Sequence, residues 1–268
     1  MSRLPGKICL VTGGGGGIGH AIVRTFLREG ARVIFTDLDP RLGSAVLQQN
    51  QNVTDSLKFI EQDVADENGW KATVSNIEAQ YGRLDVLVNN AATSRAASLE
   101  EETLDGWQSV HRTNVESVFL AAKYCVPLMR KSQAAAIVNI TSTTINQPPP
   151  RSQAAYVASK GAVDAFTRWL AAYFIAGGEP IRCNSVQPHA TDTPLMRRVG
   201  AETVGVSAAE MNAMTPTQAS ATLGIKLADP NRVADAVLFL ASDEASEING
   251  SSLSLERGSR VVIADPSK

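Results

Sequence analysis

The chain has 268 residues, with 25 basic and 27 acidic side chains and a net charge of −2. That balance excludes a nucleic acid or an anionic membrane held by a basic face, and the length leaves room for one large domain or two small ones. Cys9, Cys125 and Cys183 are odd in number and far apart, as are His20, His111 and His189, so neither a disulfide framework nor a metal site is expected.

From the start, Met1 to Lys7 is polar and runs straight into an apolar segment, unlike a signal peptide. No apolar run reaches the roughly 18 residues a membrane span needs, so a soluble, cytoplasmic protein is expected. Ile8–Val11 reads as a first buried strand, followed by five glycines from Gly13 to Gly17 and then by Ile18 and Gly19 opening a helix. Glycines at a strand–helix turn let the backbone approach a phosphate, and the helix start offers free N–H groups to it. A second strand, Val33–Thr36, ends in Asp37 with uncharged Leu38 beside it. A carboxylate there accepts the hydroxyls of an adenosine ribose and repels a 2′-phosphate, which points to NAD rather than NADP.

A third run, Leu57–Ile60, leads to Asp63 and Val64, and a fourth, Val86–Val88, leads to Asn89-Asn90-Ala91-Ala92. Both sites fall at carboxyl ends of strands, where ligands of open α/β sheets bind; ordinary turn chemistry explains either one equally well when taken alone. Ala136–Ile140 is a fifth strand, and Asn146–Ser152, with Pro148 to Pro150, reads as a stiff loop after it. Tyr156-Val-Ala-Ser-Lys160 then begins a helical pattern, with the phenol and the ammonium at i and i+4 on one face. Ile181–Val186 and Ser252–Leu255 complete seven short strands, separated by helical spacings such as Ile22, Val23, Phe26 and Leu27. Between them, Thr191–Leu227 is long, rich in Met, Ala and Thr, and without a clear strand, as expected of a substrate lid over about 191–227. Strands alternating with helices imply right-handed crossovers and a doubly wound parallel sheet with helices on both faces. No linker divides the chain, so 1–268 is expected to be a single domain.

Taken in register, these segments resemble the short-chain dehydrogenase/reductase family across nearly the whole chain. The resemblance rests on Thr12-Gly-Gly-Gly-Gly-Gly-Ile-Gly19, Asn89-Asn-Ala-Ala92, Asn114, Ile140-Thr-Ser142, Tyr156-Val-Ala-Ser-Lys160 and Asn184-Ser-Val-Gln-Pro188. Within the family, Thr113–Phe119 and Phe239–Glu244 are most similar to bacterial 3β/17β-hydroxysteroid dehydrogenases. The resemblance implies a Rossmann-type fold, with Tyr156 as general acid and base, Lys160 lowering its pKa and holding the nicotinamide ribose, and Ser142 orienting the substrate oxygen. Asn114 would sit mid-helix and hold a water that links Lys160 to solvent. The implied cofactor positions are Gly13, Gly17, Ile18, Gly19, Asp37, Leu38, Asp63, Val64, Asn90, Ala91, Ala92, Pro188, His189, Thr191 and Thr193, beside Tyr156 and Lys160 themselves.

The chain departs from the family pattern at Ala92, at His189 and Thr191, at Glu256-Arg257-Gly258, and in a Ser142–Tyr156 spacing one residue longer than usual. None of these removes a catalytic group. The expected activity is NAD-dependent interconversion of a bulky, apolar, cyclic secondary alcohol and its ketone, hydroxysteroid-like, with terpenoids or other alicyclic alcohols next. The expected pocket walls are Leu195, Met196, Val199, Val204, Val206, Met211 and Met214 of the lid, opposite Ile145 and Gln147–Pro150. A 3-oxoacyl carrier-protein reductase and a non-catalytic dinucleotide-binding regulator are the competing readings. Apolar spacing at Phe166, Trp169, Leu170, Tyr173 and Phe174, and at Val118, Phe119, Ala122 and Val126, points to a homotetramer.

Overall fold

The computed structural model describes residues 2–146 and 151–256, with the backbone alone at 52–54. The Gln147–Pro150 wall and the Arg257-Gly258 departure lie outside the described residues. The chain order is β1 (Ile8–Thr12), α1 (Gly17–Arg28), β2 (Arg32–Asp37), α2 (Pro40–Gln49), β3 (Leu57–Glu61), α3 (Glu67–Tyr81) and β4 (Val86–Asn89). It continues with α4 (Leu104–His111), α5 (Ser117–Met129), β5 (Ala135–Ile140), α6 (Ala154–Ala176) and β6 (Ile181–Pro188). Then come α7 (Pro194–Val204), α8 (Ala208–Ala213), α9 (Pro216–Leu223), α10 (Pro230–Ala241) and β7 (Ser252–Leu255).

The seven strands form one sheet in the order β3-β2-β1-β4-β5-β6-β7, and every pair is parallel. Alternate residues face opposite sides and both faces are covered, which is why the inner strands β1, β4 and β5 are almost wholly apolar, while the edge strands β3 and β7 are mixed and only partly buried. Cys9, Val11, Val33, Phe35, Val86 and Val88 pack with Ile22, Phe26, Val237 and Leu238 of α1 and α10. Ile8, Leu10, Ile34 and Leu87 pack on the other face with Trp70, Leu120, Leu128, Leu170 and Phe174 of α3, α5 and α6. The observed strands reach one or two residues further than the apolar runs, to Asp37, Glu61, Asn89 and Pro188. Their polar ends stay in the ladder because they line the rim where the chain leaves the sheet. Strand order reverses between β1 and β4, which opens a crevice above their carboxyl ends.

Two expectations change form. Asn114 does not sit in a regular helix, because Arg112–Glu116 is a π-helical turn joining α4 to α5. The stretch expected as an irregular lid is helical: α7, α8 and α9 share a small core of Ala201, Met211, Ala219 and Leu227, flanked by Met196, Val206, Met214 and Leu223. Gly200 permits this packing, since a Cβ there would come within 2.6 Å of Leu223 Cδ2. Met211 and Val199 are therefore buried, and Val204 is exposed. Burial within the short helices removes Met211 and Val199 from the expected pocket wall. Among the described residues no helix is long and apolar enough to cross a membrane.

Candidate active site

The glycine turn is built by close approach. A Cβ at Gly19 would lie 2.0 Å from the Gly13 carbonyl oxygen, and one at Gly13, where φ is +63°, would lie 2.9 Å from Ala91 Cα. A Cβ at Gly17, where φ is +55°, would lie 3.1 Å from Thr193 Cβ, while one at Gly16 would meet nothing within 4 Å. The turn is therefore closed toward the protein and open at Gly16. Asn90 secures it, donating from Nδ2 to the carbonyls of Thr12 at 2.9 Å and Gly13 at 3.0 Å. Thr12 Oγ1 accepts in return from the N–H groups of Asn90 and Ala91. Helix α1 begins without a side-chain cap and with no acidic residue in its first turn. Its first N–H groups thus remain available to an anion such as a pyrophosphate.

Asp37 ends β2 beside that turn. Its Oδ2 accepts from Gly15 N–H at 2.9 Å and its Oδ1 from Asp39 N–H at 3.1 Å, and each oxygen keeps a lone pair for a ribose hydroxyl. Leu38 is exposed next to it. Further along the rim, Asp63 Oδ1 accepts from Ala65 N–H, and the Val64 carbonyl accepts from Trp70 Nε1 at 2.8 Å. Ala91, Ala92 and Ile18 are half-buried around the crevice. On the far side Pro188 is buried, His189 is half-buried, and Thr191 Oγ1 donates to the His189 carbonyl at 2.7 Å. Thr193 caps α7, accepting from Met196 N–H. The uncapped helix, the open Gly16 side and the carboxylate at Asp37 fit a dinucleotide along one crevice.

Tyr156, Lys160 and Ser142 converge at the end of β5. The half-buried Tyr156 side chain pairs its hydroxyl with Ser142; loss of solvent around the phenol holds it above its ordinary pKa, and the Ser142 contact opposes that rise. Ser142 Oγ accepts from Thr144 N–H at 3.3 Å and from Thr144 Oγ1 at 2.9 Å. With its acceptor sites engaged, the serine proton is directed outward to a partner oxygen. Lys160 Nζ lies 5.7 Å from the Tyr156 ring centre and donates to the Ile140 carbonyl at 2.8 Å. Burial lowers its pKa to about 8. Asn114 reaches the same helix: its Nδ2 donates to Ser159 Oγ at 3.0 Å and to the Thr93 carbonyl, while its Oδ1 accepts from Thr93 N–H at 2.8 Å. One lone pair on Oδ1 remains for a water.

Three participants escaped the sequence reading. Thr144 and Ser159 are small hydroxyls next to named residues and carry no spacing signal of their own. The Ile140 carbonyl is a backbone atom, which no residue pattern reveals. The cysteines are inert, burial pushing the Cys125 thiol up to about 12 and raising Cys9 and Cys183 as well.

Comparison with known proteins gives consistent results. The family model described as enoyl-(acyl carrier protein) reductase matches residues 14–260. The cyclopentanol dehydrogenase of Comamonas testosteroni is 36% identical over 262 residues, covering 96% of this chain and 98% of its own. A 3-beta-hydroxysteroid dehydrogenase of the same organism is 34% identical over 252 residues, covering 94% and 95%. Among solved structures, the ligand-free aldohexose dehydrogenase of Thermoplasma acidophilum superposes with a TM-score of 0.82 at 31% identity, covering 98% and 97%.

Proposed function

Since the chain belongs to the short-chain dehydrogenase/reductase family and is thus an alcohol dehydrogenase or ketone reductase, we propose that it interconverts a bulky, apolar, cyclic secondary alcohol and its ketone with NAD. The observation that carries this reading is the convergence of the Tyr156 hydroxyl with the buried Ser142 and Lys160 side chains at the end of β5.

In oxidation, Ser142 donates to the substrate oxygen and holds it beside Tyr156. The Tyr156 phenolate takes the hydroxyl proton as the C=O bond forms; in reduction the phenol returns it. Held by the glycine turn and Asp37, a bound NAD would supply the acceptor for the carbinol hydride, which balances the proton taken by Tyr156. A phenol titrates near 10 and desolvation raises Tyr156 further, so service near neutrality needs its phenolate to be stabilised. The Lys160 ammonium supplies part of that stabilisation. Asn114 retains an acceptor site for a water beyond Ser159, which provides a route for the proton to leave. Asp37, placed to accept ribose hydroxyls, supports NAD over NADP.

The half-buried Leu195, Met196, Val206 and Met214 of the 191–227 lid, with half-buried Ile145 opposite, support an apolar substrate. The alcohols named for the two Comamonas enzymes, cyclopentanol and a 3-beta-hydroxysteroid, are of that kind. A homotetrameric, cytoplasmic enzyme completes the proposal. The description of the matching family model favours a second reading, a reductase of acyl chains on a carrier protein. That reading calls for NADPH and a basic docking face, against Asp37 and a net charge of −2.

The test is NADH formation from NAD with a steroid alcohol, a monoterpene alcohol, a short 3-hydroxyacyl ester and a polyol. The two cyclic alcohols are expected to give kcat/KM at least about tenfold above the others. A win for the polyol or the ester would overturn the apolar pocket and leave the catalytic assignment standing.

A further inference from the structure

One buried carboxylate is unused by the reaction as described. Asp164 lies one turn beyond Lys160 on α6, and its Oδ1 accepts from Ser252 Oγ at 2.6 Å, Ser185 Oγ at 3.0 Å and Gln187 Nε2 at 3.3 Å. Its Oδ2 accepts from Arg168. A carboxylate is costly to bury, and three donors converging on one oxygen, two from β6 and one from β7, fix it in place. The contact with Gln187 does not end there. Gln187 Oε1 accepts from Asn146 Nδ2 at 2.9 Å, and the Asn146 backbone N–H closes the 3₁₀ turn Thr143–Ile145 by donating to the Thr143 carbonyl at 3.0 Å. Ser142 caps that same turn, with its hydroxyl held by Thr144.

We propose that Asp164 is a positioning residue: through Gln187 and Asn146 it holds the turn that carries Ser142 in register with the Tyr156–Lys160 face of α6. The proposal rests on the reading of Ser142 and Tyr156 as the groups that handle the substrate oxygen. Asp164 and Lys160 share one helix, so a carboxylate that grips the neighbouring strand and, through it, the serine turn sets the distance between serine and phenol. Small displacements of such groups cost far more in turnover than in binding, because the geometry counts most in the transition state. Gln187 also precedes Pro188, so the link runs along the edge of the crevice without entering the dinucleotide site.

The experiment compares Asn146→Ala, Gln187→Met, their double variant, Asp164→Val and Asp164→Asn by alcohol oxidation with NAD. Asn146 is exposed, and methionine keeps the volume of Gln187, so these two carry the test if Asp164→Val fails to fold. Asn146→Ala and Gln187→Met are each expected to lower kcat about tenfold while KM for NAD stays within about twofold. The primary isotope effect with substrate deuterated at the carbinol carbon should rise, because hydride transfer becomes slower than product release. The double variant should be no worse than the poorer single one, the mark of a shared path. Asp164→Asn keeps an acceptor at Oδ1 and should recover most of the loss seen in Asp164→Val. An Asn146→Ala kcat within about twofold of wild type, or losses that multiply in the double variant, would overturn the positioning role. A wild type inactive toward every alcohol would instead overturn the proposed function, and the positioning role with it.

Discussion

Lys160 donates its ammonium to the main-chain carbonyl of Ile140 at 2.8 Å, which pins the helix bearing the phenol to the last residue of β5. The amine makes that contact while buried, and burial lowers its pKa to about 8. The folded value lies below the ordinary lysine value, so between about 8 and 10.5 the unfolded chain holds more protons than the folded one. Stability from this residue therefore rises with pH across that window, and the burden of the buried charge is complete below it. Relative to Lys160→Met, the wild type should gain about 3 kcal/mol of stability between pH 7 and about 10.5. Thermal or urea unfolding of both proteins over that range checks it. A gap that does not change with pH would mean that the amine is solvated.

Tyr156→Phe deletes one hydroxyl and keeps the ring that Lys160 faces. Turnover should fall by about 10²–10⁴-fold, while the dissociation constant for NADH stays within about threefold. Lys160→Ala should damage both quantities, because the ammonium faces the phenol and, on the proposed reading, the ribose. Stopped-flow reduction and fluorescence titration separate the two. A loss below about tenfold in Tyr156→Phe would assign the proton transfer to another group.

What the sequence made legible follows from physics that acts locally. Short, mostly continuous apolar runs located all seven strands, because the inner strands of a parallel sheet are buried on both faces and polarity marks their ends. The glycine turn was readable because only glycine tolerates the approach of Gly19 to the Gly13 carbonyl. The i, i+4 spacing of Tyr156 and Lys160 likewise fixes a shared face before any tertiary contact is known. Asn114 was found by its segment and missed in its local form, since a π-helical turn leaves no mark on apolar spacing. The lid failed more instructively: Met211 matches a pocket wall and a helix–helix core equally well, and the tertiary packing of α7, α8 and α9, with Leu223 against Gly200, decides for the core. The link from Asp164 through Gln187 to Asn146 joins three distant segments, so no local pattern contains it.

Cofactor choice turns on Asp37. The wild type should prefer NAD over NADP by at least about 100-fold in kcat/KM, since a 2′-phosphate would face an anion. Asp37→Ala should narrow that ratio by raising NADP activity. It should also raise KM for NAD, because the same carboxylate accepts from Gly15 N–H and steadies the glycine turn. Steady-state kinetics with both cofactors decides; comparable wild-type values would falsify the assignment of Asp37.

The last prediction concerns the outer face of α5 and α6. Of the residues expected there, Leu170, Phe174, Val118, Ala122 and Val126 are spent on the core. Trp169 and Phe119 nevertheless remain 57% and 51% exposed, with Tyr173 at 46%. On α6 the rings of Phe166, Trp169 and Tyr173 stack in series, at 5.7 and 5.3 Å between centres. Three aromatic rings aligned on one helix present a stiff apolar surface that loses little side-chain entropy on being covered, which suits a two-fold contact between copies of this chain. Light scattering at micromolar concentration should give a tetramer for the wild type. Trp169→Glu and Phe119→Glu should each lower the mass, since a carboxylate buried in such a contact finds no partner. Both side chains are largely exposed, Trp169 on α6 and Phe119 on α5, so the monomeric fold should survive by circular dichroism. A wild-type monomer would leave this face without a partner and refute the proposed assembly.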